Sequence, residues 1–265
     1  MRLIDRLLTP RRSIPGGLSI FASIAVAGSI LGGWALATYG GFVDTTFCPM
    51  PHEVVTAFWK TLTDGSLLKH TWSSLVVINL GFFLSSIIAI PLGILMGSYR
   101  IVQSALEPVI NFMRYLPVTS MIPLLILWIG IGIEEKIAVI FIGTFFQQIV
   151  MVADTSAQVP GELLNAAYTL GAKRRQVLTR VLLPATLPGI MDMLRVTMGW
   201  AWTYLVVAEL VASNSGLGYM SMQAMRGLHA DLIFVAILVI GLLGLLFDLL
   251  FKLAKGWLLP WAQER

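Results

Sequence analysis

The chain of 265 residues is 57% hydrophobic and only 12% charged, about half the charge of an ordinary soluble domain; this excludes a water-soluble fold and indicates an integral membrane protein. Its net charge of +4 is not gathered into one long basic run, so no nucleic-acid partner is expected and the basic residues read as topology determinants. The single cysteine, Cys48, leaves no internal disulfide. His52, His70 and His229 lack metal-ligand spacing, and no GxxxxGK[ST] occurs, so any nucleotide hydrolysis belongs to another chain.

Arg2, Arg6, Arg11 and Arg12 precede an apolar run over residues 18–39. At about 22 residues the run exceeds a signal-peptide core and is long enough to cross a bilayer. It is read as a retained first span, and Ala35-Leu36-Ala37 leaves a cleaved signal as the alternative. Gly28 and Gly32 form a GxxxG pair, as do Gly93 and Gly97 in the second span, residues 72–97; such pairs allow close helix approach. Between these spans, Pro49 and Pro51 introduce a short amphipathic helix carrying Val54, Val55, Phe58, Trp59 and Leu62.

Beyond Arg100, apolar positions 102, 105, 106, 109, 110 and 113 form a stripe opposite Gln103, Glu107, Asn111 and Arg114. That pattern suits a helix along a membrane face or against the bundle. Pro117 and Pro123 bracket the start of a third span ending near Ile133. Glu134-Glu135-Lys136 reads as a tight polar turn, and residues 137–152 form the fourth span. A fifth span covers residues 189–210, a glycine- and polar-rich stretch follows (SNSGLGYMSMQAMRGLHA), and a sixth covers residues 232–251 before Lys252 and Lys255. The expected fold class is therefore all-α, a polytopic bundle of about six transmembrane helices forming a single domain over residues 1–265.

The polar stretch over residues 158–183 stands apart. Pro160 and Gly161 open a helix, because proline's fixed φ suits a first turn, and Glu162 lies within that turn. Leu163, Ala166, Ala167 and Leu170 share one face, and Gly171 is placed to stop the helix in the left-handed conformation. A second helix carries Lys173, Arg174, Arg175 and Arg180, with Pro184 and Pro188 expected to end it. Small alanines on a short exposed helix let another surface come close, which marks a docking element.

Asn165, Ala166, Ala167, Gly171, Val181, Leu183 and Pro184 resemble, in register, the cytoplasmic Glu-Ala-Ala loop of membrane subunits of bacterial ATP-binding-cassette importers. Asn165 stands where that pattern has glutamate. PMPHEVVTAFW, RYLPVTSMIPLLILWIGIG and VAELVASNSGLGYM resemble in particular the nitrate, taurine and aliphatic-sulfonate permeases. The resemblance implies a type I importer permease fold with two permease copies, two ATP-binding subunits and a periplasmic or lipid-anchored substrate-binding protein. ATP and Mg would be held by the partner, with no cofactor on this chain and no catalytic residue of its own. It further implies that the helix at residues 161–170 couples to the ATPase, where Lys173, Arg174 and Arg175 pair with acids or act simply as positive-inside residues.

Grouping the termini, the turn at Arg100 and the docking loop on one side collects thirteen of the eighteen basic residues, Arg114 and Arg265 among them. The positive-inside rule places that side in the cytoplasm of a bacterial inner-membrane, multi-pass protein. Candidate path or gate residues are Arg195, Glu209, Asn214, Gly216 and Gly218. Arg195 is also explained by snorkelling or by an ion pair with Asp192 one turn earlier. Thr119, Ser120, Gln147 and Gln148 read as interhelical hydrogen-bonding groups. The expected function is uptake of a small solute, an anion such as nitrate, a sulfonate or taurine, the alternative being a self-contained ion-coupled secondary transporter.

Overall fold

The computed structural model describes residues 16–262; Arg2, Arg6, Arg11, Arg12 and Arg265 lie outside the described residues. The helices are α1 (Gly16–Tyr39), α2 (Pro51–Thr63), α3 (Ser66–Ser98), α4 (Arg100–Tyr115), α5 (Val118–Ile129) and α6 (Ile133–Ala157). They continue with α7 (Gly161–Thr169), α8 (Arg174–Val177), a π turn (Leu178–Leu182), α9 (Leu183–Val211), α10 (Leu217–Arg226) and α11 (Ala230–Leu258). No strand occurs among the described residues, so the all-α expectation stands. Five helical stretches are long and apolar enough to cross a membrane: α1, α3, α6, the continuous run through α8 and α9, and α11. The sixth crossing is of another kind, the pair α4–α5 bent by 92°.

The expected third span thus reduces to α5, whose 12 residues cover about 18 Å, short of the ~30 Å hydrocarbon core. Pro117 causes the break: its ring excludes helical ψ at Leu116, which takes φ −69° and ψ 129°. Glu134, Glu135 and Lys136 are not a turn but the first residues of α6, where carboxylates suit the helix N-terminus. Glu135 and Lys136 are buried there. Nor do Pro184 and Pro188 end a helix. The chain runs through them because the π turn widens the ring, with the Leu183 N–H reaching back five residues to the Leu178 carbonyl.

At the centre, α3 and α6 run parallel and very close. A Cβ at Gly81 would fall 2.8 Å from Ile140 Cβ, one at Gly93 would fall 2.6 Å from Val152 Cβ, and one at Gly97 would strike the Ala153 carbonyl. Gly93 and Gly97 therefore act as the expected close-approach pair. Gly28 and Gly32 do not, having nothing within 4 Å. Helix α9 crosses the pair antiparallel, and Phe82, Ile140, Met198, Ala201 and Leu205 close the core between the three. A buried polar layer ties the same helices together. Ser85 Oγ donates to Gln148 Oε1 (3.0 Å), and Gln148 Nε2 donates to Ser86 Oγ (3.1 Å) and Thr197 Oγ1 (3.3 Å). The interhelical role expected for Gln148 is met. With α3, α6 and α11 parallel, Arg100, the loop over residues 158–183, Lys252 and Lys255 all fall at one end of the bundle.

Candidate functional site

At that end, α7 stands out from the bundle. None of its residues is buried; Leu163 is 49% and the adjoining Leu170 87% exposed. Glu162, Asn165 and Ala166 face solvent, and Ala167 is half-buried. Leu164 alone among its apolar side chains enters the core, packing with Ile94, Val152 and Leu182. Gly171 stops the helix as its position predicts, with φ +82°. The Gly171 N–H donates to the Tyr168 carbonyl (2.9 Å) and the Ala172 N–H to that of Ala167 (3.0 Å), the paired bonds of a glycine-terminated helix. Past the turn, the Lys173 N–H is capped by Gln176 Oε1 (2.8 Å). Lys173, Arg174 and Arg175 are exposed and enter no ion pair among the described residues. Leu183 and Pro184 are half-buried at the start of α9, so the loop is continuous with two core helices, α6 on one side and α9 on the other.

Higher on α9 the candidate residues separate into two structural groups. Arg195 does not pair with Asp192. It donates to Asp248 of α11, which also receives Lys252 (3.0 Å), and Asp192 pairs with Lys255 (2.6 Å). An i, i+3 pair on one helix loses here to a neighbour helix presenting both partners. Near the far end, Glu209 is 1% exposed. Its carboxylate accepts from Ser74 Oγ (2.7 Å) and the Gly218 N–H (2.8 Å), and Ser74 Oγ accepts the Leu217 N–H (2.9 Å). The Gly216 N–H donates to His70 Nδ1 (3.2 Å), at φ +116°, a conformation glycine adopts freely. Asn214 is exposed beside this knot. From Leu217 onward the glycine- and polar-rich stretch forms a helix, α10, held to α3 and α9 through a buried carboxylate.

A third feature escaped the reading of the sequence. The α4–α5 bend and the middles of α6 and α9 enclose an open cleft of about 320 Å³ lined by Arg114, Tyr115, Thr119, Gln147, Trp200 and Tyr204 together with apolar side chains. Arg114, counted above with one end of the bundle, lies instead level with Gly143 and Gln147, near mid-length of α6. Only its place in the RYLP stretch, just before the helix-breaking proline, could have drawn notice.

A bundle of crossing helices that leaves one short helix exposed at one end defines an integral membrane protein. Residues 89–262 match the family described as binding-protein-dependent transport system inner membrane component. The chain is 40% identical over 235 residues to a probable ABC transporter permease protein of Brucella abortus, covering 89% of this chain and 92% of that one. It is 34% identical over 239 residues to the taurine transport system permease protein TauC of Escherichia coli, covering 87% and 86%. A bacterial alginate ABC transporter, solved in complex with an alginate-bound periplasmic protein, contains a chain of the same fold at TM-score 0.63 and 13% identity, with 92% of each chain covered. The chain belongs to this family of ABC transporter permeases: it is a multi-pass inner-membrane component of a binding-protein-dependent system, a transport subunit and not an enzyme.

Proposed function

We propose that this chain is the membrane subunit of an ATP-driven importer that carries a small sulfonate-type anion into the cytoplasm. The observation that carries the ATP-driven reading is α7, a helix with no buried residue, rigidly stopped at Gly171 and joined at both ends to helices of the core. Two such chains, gripped by two ATP-binding subunits, form the translocating unit, and a periplasmic or lipid-anchored binding protein delivers the solute from the other side. The loop end, carrying Arg100, Lys173, Arg174, Arg175, Lys252 and Lys255, faces the cytoplasm under the positive-inside rule. Closure of the ATPase dimer displaces α7, and α6 and α9 carry the displacement into the bundle. ATP acts only by binding one arrangement of the complex better than the other. The sulfonate assignment is supported by the likeness to the taurine permease and by the absence of any carboxylate from the lining of the central cleft.

The test is reconstitution. A tagged chain expressed with its binding-protein and ATPase partners should co-purify with an ATP-binding subunit, and proteoliposomes should accumulate labelled taurine only with ATP on the loop side. Uptake by this chain alone, driven by an ion gradient, would replace the proposal with the secondary-transporter reading.

A further inference from the structure

The central cleft holds a charge that the bundle does not neutralise. Arg114 lies in the last turn of α4, level with the middle of the 25-residue α6. One guanidinium NH₂ donates to Tyr115 Oη (3.2 Å), and the guanidinium carbon lies 5.0 Å from the centroid of that ring. Its Nε is buried and has no hydrogen-bond partner. No Asp or Glu lines the cleft, and every ion pair among the described residues lies elsewhere. The contrast with Arg195 is direct, since that arginine is matched by Asp248. An unmatched guanidinium at mid-membrane depth is costly and is by default functional. Planar donors in a fork suit an oxyanion, which can accept two bonds at once.

The rest of the lining fits the same ligand. Thr119, Gln147 and Tyr204 bring hydroxyl and amide groups to the cleft, all able to donate to oxygen. Gly143 keeps the space open: a Cβ there would come within 2.6 Å of the Tyr204 ring, so any larger residue would displace Tyr204.

We propose that Arg114, with Thr119, Gln147 and Tyr204, forms an oxyanion-binding station within the translocation path, the point at which a small sulfonate rests after leaving the binding protein. The inference rests on the importer reading above and assigns its substrate a place in this chain. Nothing in the cleft offers a carboxylate to an ammonium group, so the station reads the acidic end of the solute and leaves any amino group to aromatic faces.

The experiment uses the permease–ATPase complex in lipid nanodiscs, with sodium ethanesulfonate as the probe. About 10 mM ethanesulfonate should raise the melting temperature of the wild-type complex, and Arg114→Gln should abolish the rise while Arg114→Lys keeps part of it, because a charge-assisted bond is roughly twice as strong as a neutral one. Gln147→Leu, which keeps the charge and removes one donor, should weaken ethanesulfonate binding about threefold. In proteoliposomes, Arg114→Gln should lower taurine uptake about tenfold or more at an unchanged half-saturating concentration of loaded binding protein. A monodisperse Arg114→Gln complex stabilised as much as wild type overturns the station. So does a wild type that transports taurine without being stabilised by ethanesulfonate, and there the importer reading stands. A wild type stabilised by ethanesulfonate that transports without ATP keeps the station and removes the importer reading.

Discussion

Along the seam between α3 and α6, a Cβ at Gly81, Gly93 or Gly97 would collide with Ile140, Val152 or the Ala153 carbonyl, whereas around α7 a Cβ at Gly161 or Gly171 would meet nothing within 4 Å. Glycine serves proximity in the first region and, at Gly171, backbone conformation in the second. The seam is largely finished within this chain: Ser85, Ser86, Thr144 and Gln148 are hydrogen-bonded to one another and the side chains interlock. Helix α7 is unfinished, with Leu163 and Leu170 bare and three basic residues beyond it unmatched. A region finished internally sets stability, and a region left open sets what the protein does with its partners. Substitutions in the two should therefore fail by different measurements.

The largest effect belongs to the seam. Gly97→Leu places a side chain against the Ala153 carbonyl and 2.8 Å from Ser156 Cβ. Backbone cannot yield as a flexible side chain does, so α3 and α6 must separate. Overpacking of this kind costs about 3 kcal/mol. The variant should be recovered largely as aggregate, seen by size-exclusion chromatography of the solubilised protein. A monodisperse variant with wild-type thermal stability would show that the seam tolerates separation and is not what holds the bundle.

Gln148→Leu should cost less, about 1–2 kcal/mol. The amide serves three hydroxyls, but the loss is partly covered. Ser86 Oγ already reaches the Phe82 carbonyl (2.8 Å) and Thr197 Oγ1 that of Met193 (2.9 Å), leaving Ser85 the most exposed to the change. The thermal midpoint of the complex should fall by a few degrees with transport retained. A midpoint equal to that of wild type would mean that the polar layer contributes nothing beyond packing.

The contrast between the seam and α7 also explains what the sequence made legible. The exposed helix α7 and its stop could be read because their signals are local: Gly171 at a left-handed stop and the α4 stripe on one helix face are set by neighbours within a few residues. The spans could be read because the bilayer demands long apolar runs. Which face of a span turns inward could not. Helix α3 buries Ser74, Gly81, Ser85, Ser86 and Gly93 alongside Ile78 and Phe82 and leaves Phe83, Leu84, Ile87 and Ile88 outside, so both faces carry large apolar groups, because lipid removes the penalty on exposing them. For the same reason the partner of Arg195 lay fifty-three residues away on α11, and the burial of Glu135 and Glu209 is set by neighbouring helices. Arg114 shares this origin, since its depth follows from the bend at Pro117 and not from its place at the end of a polar stripe.

The smallest effect on stability, with a selective effect on function, is expected at Gly171. Proline requires φ near −65°, against the observed +82°, and lacks the N–H that bonds the Tyr168 carbonyl. The turn must rebuild, but α7 has no buried residue to lose. Gly171→Pro should therefore insert and assemble with a midpoint close to wild type, about 1 kcal/mol below it, the low end of the cost of a strained backbone position, because no buried packing is lost with the turn. Its defect should appear in coupling: ATP hydrolysis continues while taurine uptake falls, since the lever no longer points where the core helices receive it. Gly171→Asn is the control, because asparagine tolerates the left-handed region and open space surrounds the position; uptake should largely survive. If Gly171→Pro transported as well as wild type, α7 would be a surface turn that its partner does not grip. If proline and asparagine failed alike, the open space around Gly171, and not its conformation, would be what the partner requires.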